Sequence, residues 1–373
     1  MPTVCIDCRY IHARPSGIGE FVAQLISFVP SMAPELSFLF LRNSERKTKL
    51  SDSENVTEIS VKAPANGPAT MWRLSQIVEL KGVDVFHAPS NILPSRLAMK
   101  TITTVHDIMW LVRPELCNPK LYGRLERLFY QNGIRRALRQ SDHITSVSDA
   151  TRDAILKLDP SISDRVTTAR SGVSQRFRYS PLDRRSRETL GITPGKRYVL
   201  TVGQSAPYKN HTKAIAAFAM AFGTSPEFDL FLVQRRGSQT KDLERIARKF
   251  GVSERIHFTG PIDEELLIKL YSDAVVLLHP SLCEGFGNPI AEAMACGTPI
   301  ITSDLSAMPE VTGNAALLVN PNDVEGLAKA LQEVAFDEGR ARSLEKASLE
   351  RARALSWREC ARQHVEIYKN LLA

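Results

Sequence analysis

Apolar and polar positions along the chain fall into two blocks of repeating strand and helix. In the first block, β-rich apolar runs occur at 3–7, 36–42, 55–61, 83–87, 101–105, 143–147 and 165–169. Stretches with helical spacing of apolar residues lie between several of them, near 18–29, 70–80, 118–140 and 148–157. The second block reads as strands at 198–203, 229–234, 256–259, 275–280, 299–302 and 316–319. Helices are predicted after most of these, near 211–222, 240–250, 263–272, 289–296 and 323–335. Such alternation argues for parallel sheets with helices on both faces, and its occurrence twice argues for two α/β domains. Two open sheets of this kind are expected to face each other across a cleft, with ligands beyond the carboxyl ends of the strands.

Residues 171–196 carry little apolar periodicity and several breakers, among them Pro181, Gly191, Pro194 and Gly195, so the segment reads as a linker. The predicted domains are 1–175 and 190–355. The last stretch, Ser356-Trp357 to Leu372, is amphipathic and predicts a final helix that can pack on either domain, with joining to the first as the working assignment.

Composition narrows the class. With 373 residues, each half is long enough for its own core. The longest apolar runs, such as Ala274 to Leu278, fall far short of the roughly 20 residues of a membrane span. The amino terminus enters the run Thr3-Val4-Cys5-Ile6 without a basic stretch, which predicts no signal peptide and a cytoplasmic location. Six cysteines fit that compartment if reduced. Cys5 and Cys8 form a C-x-x-C, but no second pair completes a metal set, so buried structural thiols are expected.

The net charge of +7 is unevenly placed. Residues 1–180 hold 24 Lys/Arg against 17 Asp/Glu, whereas 181–373 hold 24 of each. The whole surplus is amino-terminal, which points to an anionic partner for that half: lipid, a phosphorylated acceptor or nucleic acid. No nucleic-acid module is recognisable, so a nucleic-acid partner is not expected. Between Lys120 and Arg139 stand six basic residues and one acidic one, interleaved with Leu, Phe and Tyr. On a helix this is either a core-packed element with a solvated face or a surface for anionic membrane.

The segment from Pro280 to Pro299 carries the most chemistry. The run 275–280 is a strand, Gly285 and Gly287 provide a turn, Asn288 suits an N-cap, and Pro289 suits the first helical position. Gly297 stands where a helix ends. Strand, glycine loop and helix start together present backbone N–H groups and a positive helix end to a ligand, suiting phosphate or sugar hydroxyls. Glu284 precedes the turn and Glu292 lies one turn into the helix, so the two carboxylates reach different parts of one ligand. The alternative is a structural turn with two solvated glutamates.

This segment, with Glu284 and Glu292 separated by seven residues in E-G-F-G-N-P-I-A-E-A-M-A-C-G-T-P, resembles the family-4 retaining glycosyltransferases, whose architecture is GT-B: two Rossmann-like domains. The likeness continues in Ser306 to Val311, ending Pro-Glu-Val. It implies that Glu284 binds donor-sugar hydroxyls, that Glu292 binds ribose hydroxyls, and that Gly285, Phe286, Gly287 and Asn288 face the donor. Three further segments resemble the family. Gly203-Gln204 to Lys209 ends a strand, and the resemblance implies a donor diphosphate on Lys209. Gln204 and Tyr208 stand where the family often has arginine, a contact that Arg235 or Arg236 could supply instead. Gly17 and Gly19 resemble the glycine loop of the first domain. His106, in a His-Asp segment extending to Pro114-Glu115, resembles the histidine beside the donor sugar.

The resulting expectation is transfer of a hexose, with mannose from GDP-mannose favoured, to a glycan or lipid-linked acceptor of a surface polysaccharide. His106, Glu284 and Lys209 are the expected catalytic residues. No Asp-x-Asp stands at a strand end, so no metal or other cofactor is expected. The location expected is cytoplasmic, with peripheral contact to the inner face of the membrane. UDP-glucose or another UDP-sugar as donor, a hydrolase or epimerase on the same fold, and a non-catalytic sugar-nucleotide binding protein are the alternatives.

Overall fold

The computed structural model describes residues 1–12, 16–118, 123–234 and 240–373. Its chain forms two compact units. One comprises 1–115, 119–172 and 356–373; the other comprises 116–118 and 173–355.

The first unit holds a sheet of seven parallel strands: β1 (Thr3–Asp7), β2 (Ser37–Asn43), β3 (Val56–Val61), β4 (Val85–Ala88), β5 (Lys100–Val105), β6 (His143–Ser146) and β7 (Val166–Thr168). Their order is β3-β2-β1-β4-β5-β6-β7. The second holds six: β8 (Arg197–Val202), β9 (Phe228–Val233), β10 (Ile256–Phe258), β11 (Val276–His279), β12 (Ile300–Ser303) and β13 (Ala316–Val319). Their order is β10-β9-β8-β11-β12-β13. Every pairing is parallel, and the central strands are buried throughout; β9 and β11 have no exposed residue. Strands covered on both faces read as continuous apolar runs, which is why these were visible in the sequence. In each unit the order reverses beside the first strand, between β1 and β4 and between β8 and β11, the switch points at which open sheets leave a crevice.

The core of the second unit is built from β8, β9 and β11 against the helices His211–Phe222 and Val324–Phe336. In the first unit, the carboxyl-terminal helix Trp357–Leu372 lies on the first helix, Gly17–Met32, and buries Trp357, Cys360, His364, Val365 and Tyr368. Gly172 admits this return of the chain, because a Cβ there would stand 2.3 Å from the Trp357 backbone nitrogen.

Several local expectations need correction. The segment read as a linker contains a helix, Arg184–Leu190, started by Asp183 accepting from the Ser186 N–H and ended by Gly191 at φ 70°. Its roughly two turns are too short for a periodic signal. The helix Glu338–Arg353 was also unread, since its buried positions are few and include Ser348. Gly287, at φ 93°, takes the N-cap position expected of Asn288, and the helix begins at Asn288. Cys8 lies in a 3₁₀ turn just beyond β1, and it and Cys5 are both buried and free. The helix expected from 118 is described from Gly123, and Lys120, Leu121, Arg235 and Arg236 lie outside the described residues.

Candidate active site

The second unit gathers its candidate residues at the carboxyl ends of β8 and β11, the strands flanking its switch point. Beyond β8 the chain passes Gly203 and reaches Lys209 in a 3₁₀ turn, Pro207–Lys209. Beyond β11 it passes Ser281 and reaches Glu284. The two ends are tied by the Leu282 N–H donating to the Tyr208 carbonyl at 2.7 Å. Asn210, at φ 55°, turns the chain into the helix His211–Phe222 and donates from its amide to the carbonyls of Pro280 and Pro321.

This brings Lys209 Nζ to 2.7 Å from Glu284 Oε1, with Lys209 buried and the Glu284 side chain only 10% exposed. The same oxygen accepts from His279 Nε2 at 3.0 Å and from Ser281 Oγ at 2.7 Å. Burial alone would raise the Glu284 pKa, but the Lys209 ammonium and the His279 hydrogen bond outweigh it and bring the carboxyl to about 2. Glu284 is therefore an ionised acceptor at neutral pH. Burial holds His279 below its ordinary range, so it donates as a neutral imidazole. Gly203, at φ 152°, leaves room for the lysine: a Cβ there would stand 3.0 Å from Lys209 Cε. Gln204 donates to Tyr208 Oη at 2.6 Å, and the Tyr208 ring lies 5.3 Å from the Lys209 ammonium.

The loop Gly285-Phe286-Gly287 leads into the helix Asn288–Ala295. Its N-cap, Gly287, has no side chain to satisfy the first-turn N–H groups, and the helix carries no acidic residue there. Glu292 lies within the helix and accepts from Tyr271 Oη at 2.9 Å. Glu284 and Glu292 thus have separate partners.

Sequence reasoning missed His279, Ser281 and Tyr271, which hold the two carboxylates. It also missed His211, the first residue of the helix that follows β8, and Gln234, just past β9. Among the described residues, His211 Nε2 and both polar atoms of the Gln234 amide are buried without a well-formed hydrogen bond, a costly arrangement without a ligand or water. Burial first, then Lys209 and His279, holds His211 down to about 3. Only the repeated placement of polar residues just past a strand end could have flagged these positions.

In the first unit, Ser16 caps the helix Gly17–Met32, accepting from the Gly19 N–H at 3.0 Å. A Cβ at Gly19 would stand 2.5 Å from the Tyr10 carbonyl oxygen, so this glycine serves close approach of the helix to the loop after β1. His106 follows β5. Its N–H donates to Asn91 Oδ1 at 2.7 Å, and its Nε2 lies 3.0 Å from the Pro89 carbonyl, which makes Nε2 the protonated nitrogen. Loss of water around the ring holds its pKa down to about 4. Phe21 stands edge-on to it, with ring centroids 5.0 Å apart. The first unit thus brings His106 and the Gly17–Gly19 helix start together through Phe21, while Lys209, Glu284 and Glu292 belong to the second. Among the described residues, no group of three or more His, Cys, Asp or Glu is placed to hold a metal ion.

Two parallel α/β units, with an acidic and basic pair at the strand ends of the second, are the arrangement expected of a GT-B glycosyltransferase. Residues 183–351 match the family described as glycosyl transferases group 1, and residues 17–176 match glycosyltransferase family 4. O-antigen chain mannosyltransferase B of Escherichia coli is 30% identical over 294 residues, covering 77% of this chain and 74% of that protein. Serotype-specific mannosyltransferase WbdA of Escherichia coli is 28% identical over 76% of this chain, which spans only 35% of that longer protein. Among solved structures, sucrose-phosphate synthase from Thermosynechococcus elongatus matches with a TM-score of 0.76 at 24% identity, covering 100% of this chain and 99% of that one. Anabaena HepE, in complex with UDP and glucose, matches with a TM-score of 0.75 at 16% identity, covering 99% and 100%. The chain belongs to the family-4, GT-B glycosyltransferases and is mannosyltransferase-like.

Proposed function

We propose that this glycosyltransferase moves mannose from GDP-mannose, with retention at the anomeric carbon, onto a glycan or lipid-linked acceptor of a surface polysaccharide. The support for mannose is the similarity to the O-antigen mannosyltransferases. The observation that carries the site reading is the buried Glu284, kept ionised by Lys209, His279 and Ser281. A carboxylate so held can accept from sugar hydroxyls, while the same lysine offers its remaining N–H groups to a diphosphate. Glu292, steadied by Tyr271, would take the ribose hydroxyls. The uncapped helix start at Gly287 would face the phosphates with Lys209. Gly203, Gln204, Gly285, Phe286 and Asn288 would line the donor. His106, neutral, would contact the sugar. Stabilising the departing diphosphate is then the protein's main task, and Lys209 with the helix start would do this without a metal. The location that fits this acceptor is the cytoplasmic face of the membrane.

The test is a panel of GDP- and UDP-sugars offered to the purified protein with a mannose-containing acceptor. Turnover of GDP-mannose with an α-linked product is expected. Consumption of UDP-glucose in place of GDP-mannose would move the donor reading to that nucleotide, and release of free sugar at an equal rate without acceptor would make the protein a hydrolase.

A further inference from the structure

Three described non-glycine residues have a positive φ: Arg96 at 61°, Asn210 at 55° and Ser306 at 57°. Residues with a Cβ seldom enter this left-handed region, so each carries strain that its surroundings must hold in place. Two of the three direct their side chains at the loop that follows β11. Asn210 donates to the Pro280 carbonyl at 3.1 Å, where that loop begins. Ser306, in the turn after β12, holds the loop farther along. Its hydroxyl accepts from the Glu284 N–H at 3.2 Å and donates to the Glu284 carbonyl at 2.6 Å. A hydroxyl has one donor and two acceptor sites, so a single oxygen engages both backbone groups of Glu284. Strand β12 flanks β11 on the side away from β8. Glu284 is thus fixed twice: by its carboxylate to Lys209 from the β8 side, and by its backbone to Ser306 from the β12 side.

Ser306 is exposed and adds nothing to the core. Glycine would meet the backbone requirement at this position without strain. What serine adds over glycine is the hydroxyl, and its two oxygen and nitrogen partners both belong to Glu284, with Cys283 Sγ 3.9 Å away. We propose that Ser306 is a positioning residue for the donor. Its hydroxyl sets the Glu284 backbone and, through it, the course of Gly285-Phe286-Gly287 into the helix Asn288–Ala295. The strained turn is kept because it returns the hydroxyl to Glu284. This role rests on the donor reading of Glu284 and the glycine loop given above. The Lys209–Glu284 pair is made by side chains alone, so loosening the backbone weakens donor binding while the pair stays assembled.

Two substitutions separate the hydroxyl from the backbone. Ser306→Ala removes the hydroxyl and keeps the strain, whereas Ser306→Gly removes both. Both variants should raise the Michaelis constant for donor about tenfold with kcat within about twofold of the parent, because the lost interaction serves binding. Stability should divide them. Ser306→Gly should melt about 2 °C or more above Ser306→Ala, since only glycine takes the left-handed region without strain. A residue serving the fold alone would move the Michaelis constant and the melting temperature together. Hydrogen exchange at the Glu284 amide reads the clamp without any donor, and it should be about tenfold faster in both variants than in the parent. Arg96→Gly relieves the same kind of strain in the first unit and should leave both the Michaelis constant and Glu284 exchange unchanged. An unchanged Michaelis constant in Ser306→Gly, or a rise in Ser306→Ala alone, would overturn the proposal, as would Glu284 exchange that stays slow in both. Calorimetry with GDP-mannose and with UDP-glucose checks the underlying reading. If the parent binds neither, the donor reading fails and takes the positioning role with it, while faster exchange in the variants still shows the clamp on Glu284.

Discussion

Lys209 and Glu284 stand 2.7 Å apart, each beyond the end of a different strand, with side chains 8% and 10% exposed. The lysine comes from beyond β8 and the glutamate from beyond β11, on either side of the point where the strand order reverses. On the proposed function, a bound donor would share both groups, hydroxyls taking acceptor capacity from Glu284 and phosphate taking donors from Lys209.

Breaking the pair from one side should be costly. Lys209→Met leaves the buried Glu284 carboxylate with only His279 and Ser281, and loss of one member of a buried pair costs about 3–5 kcal/mol. Chemical denaturation should show that loss, together with a fall in donor turnover of about 10²-fold or more. Glu284→Gln removes the charge but keeps the shape; it should lose similar activity with a smaller loss of stability. Full turnover in both variants would show that the site lies elsewhere.

Gly203→Ala should act through Lys209. The added Cβ would stand 3.0 Å from Lys209 Cε on a backbone at φ 152°. The lysine has to move, so the Michaelis constant for donor should rise about tenfold while the melting temperature falls by a few degrees. An unchanged Michaelis constant would show that the lysine tolerates displacement and does not hold the donor.

Acid should destabilise the protein well before its carboxylates titrate. His364 is fully buried, and burial brings its pKa to about 4 from an ordinary value near 6.5. His211 is held at about 3, and His87 well below its ordinary range, by the same cause. The folded state thus binds fewer protons than the unfolded state between pH 6.5 and pH 4. This stability is complete above pH 6.5 and is lost as pH falls toward the folded values. Each such histidine contributes a slope of up to about 1.4 kcal/mol per pH unit in that window. Melting temperature should therefore drop between pH 7 and pH 5, where Glu284, lowered from 4.5 to about 2, is ionised in both states and adds no slope. A flat profile would show that these rings reach water.

The carboxyl-terminal helix should be indispensable to the first unit. Tyr368 and His87 share a hydrogen bond of 2.7 Å, His87 lies 2.8 Å from Thr104 Oγ1, and Phe21 contacts His106, Trp357 and His364. Tyr368→Phe leaves a buried imidazole nitrogen unpaired and should cost about 1–3 kcal/mol. Phe21→Ala should cost about 3–5 kcal/mol and lower turnover by letting His106 move. Removal of 356–373 should leave a chain that fails to fold cooperatively, as read by circular dichroism. A cooperative melt for that truncated chain would refute the dependence.

Chelation should leave activity largely intact, because Lys209 and the helix start at Gly287 supply positive charge where the diphosphate is expected. Loss of turnover on EDTA treatment, restored by magnesium or manganese, would overturn the metal-free mechanism.

The sheets were legible because their central strands are apolar on both faces, and the glycine loop was legible because Gly285, Gly287 and Gly297 bracket a short helix. Glu284 and Glu292 stood out through that frame. The residues that hold them did not. His279 lies in an otherwise apolar strand, Ser281 is one small polar residue after it, and Tyr271 closes a helix remote in sequence from Glu292. None carries a periodic or spacing signal, since each matters only through a contact made in three dimensions.

The sequence by itself determined the two α/β blocks, the strand-loop-helix carrying both glutamates, and the excess of positive charge in the amino-terminal half. Those properties are local or additive: periodicity, turn chemistry and charge are set residue by residue. Tertiary structure decided the rest. It joined Lys209 to Glu284 across 74 intervening residues and gave the carboxyl-terminal helix to the first unit. It also turned Leu125 and Leu128 outward from a helix whose pattern fitted a buried stripe equally well. An amphipathic helix has an apolar side in any environment; which residues that side covers, or leaves bare, depends on the elements packed against it.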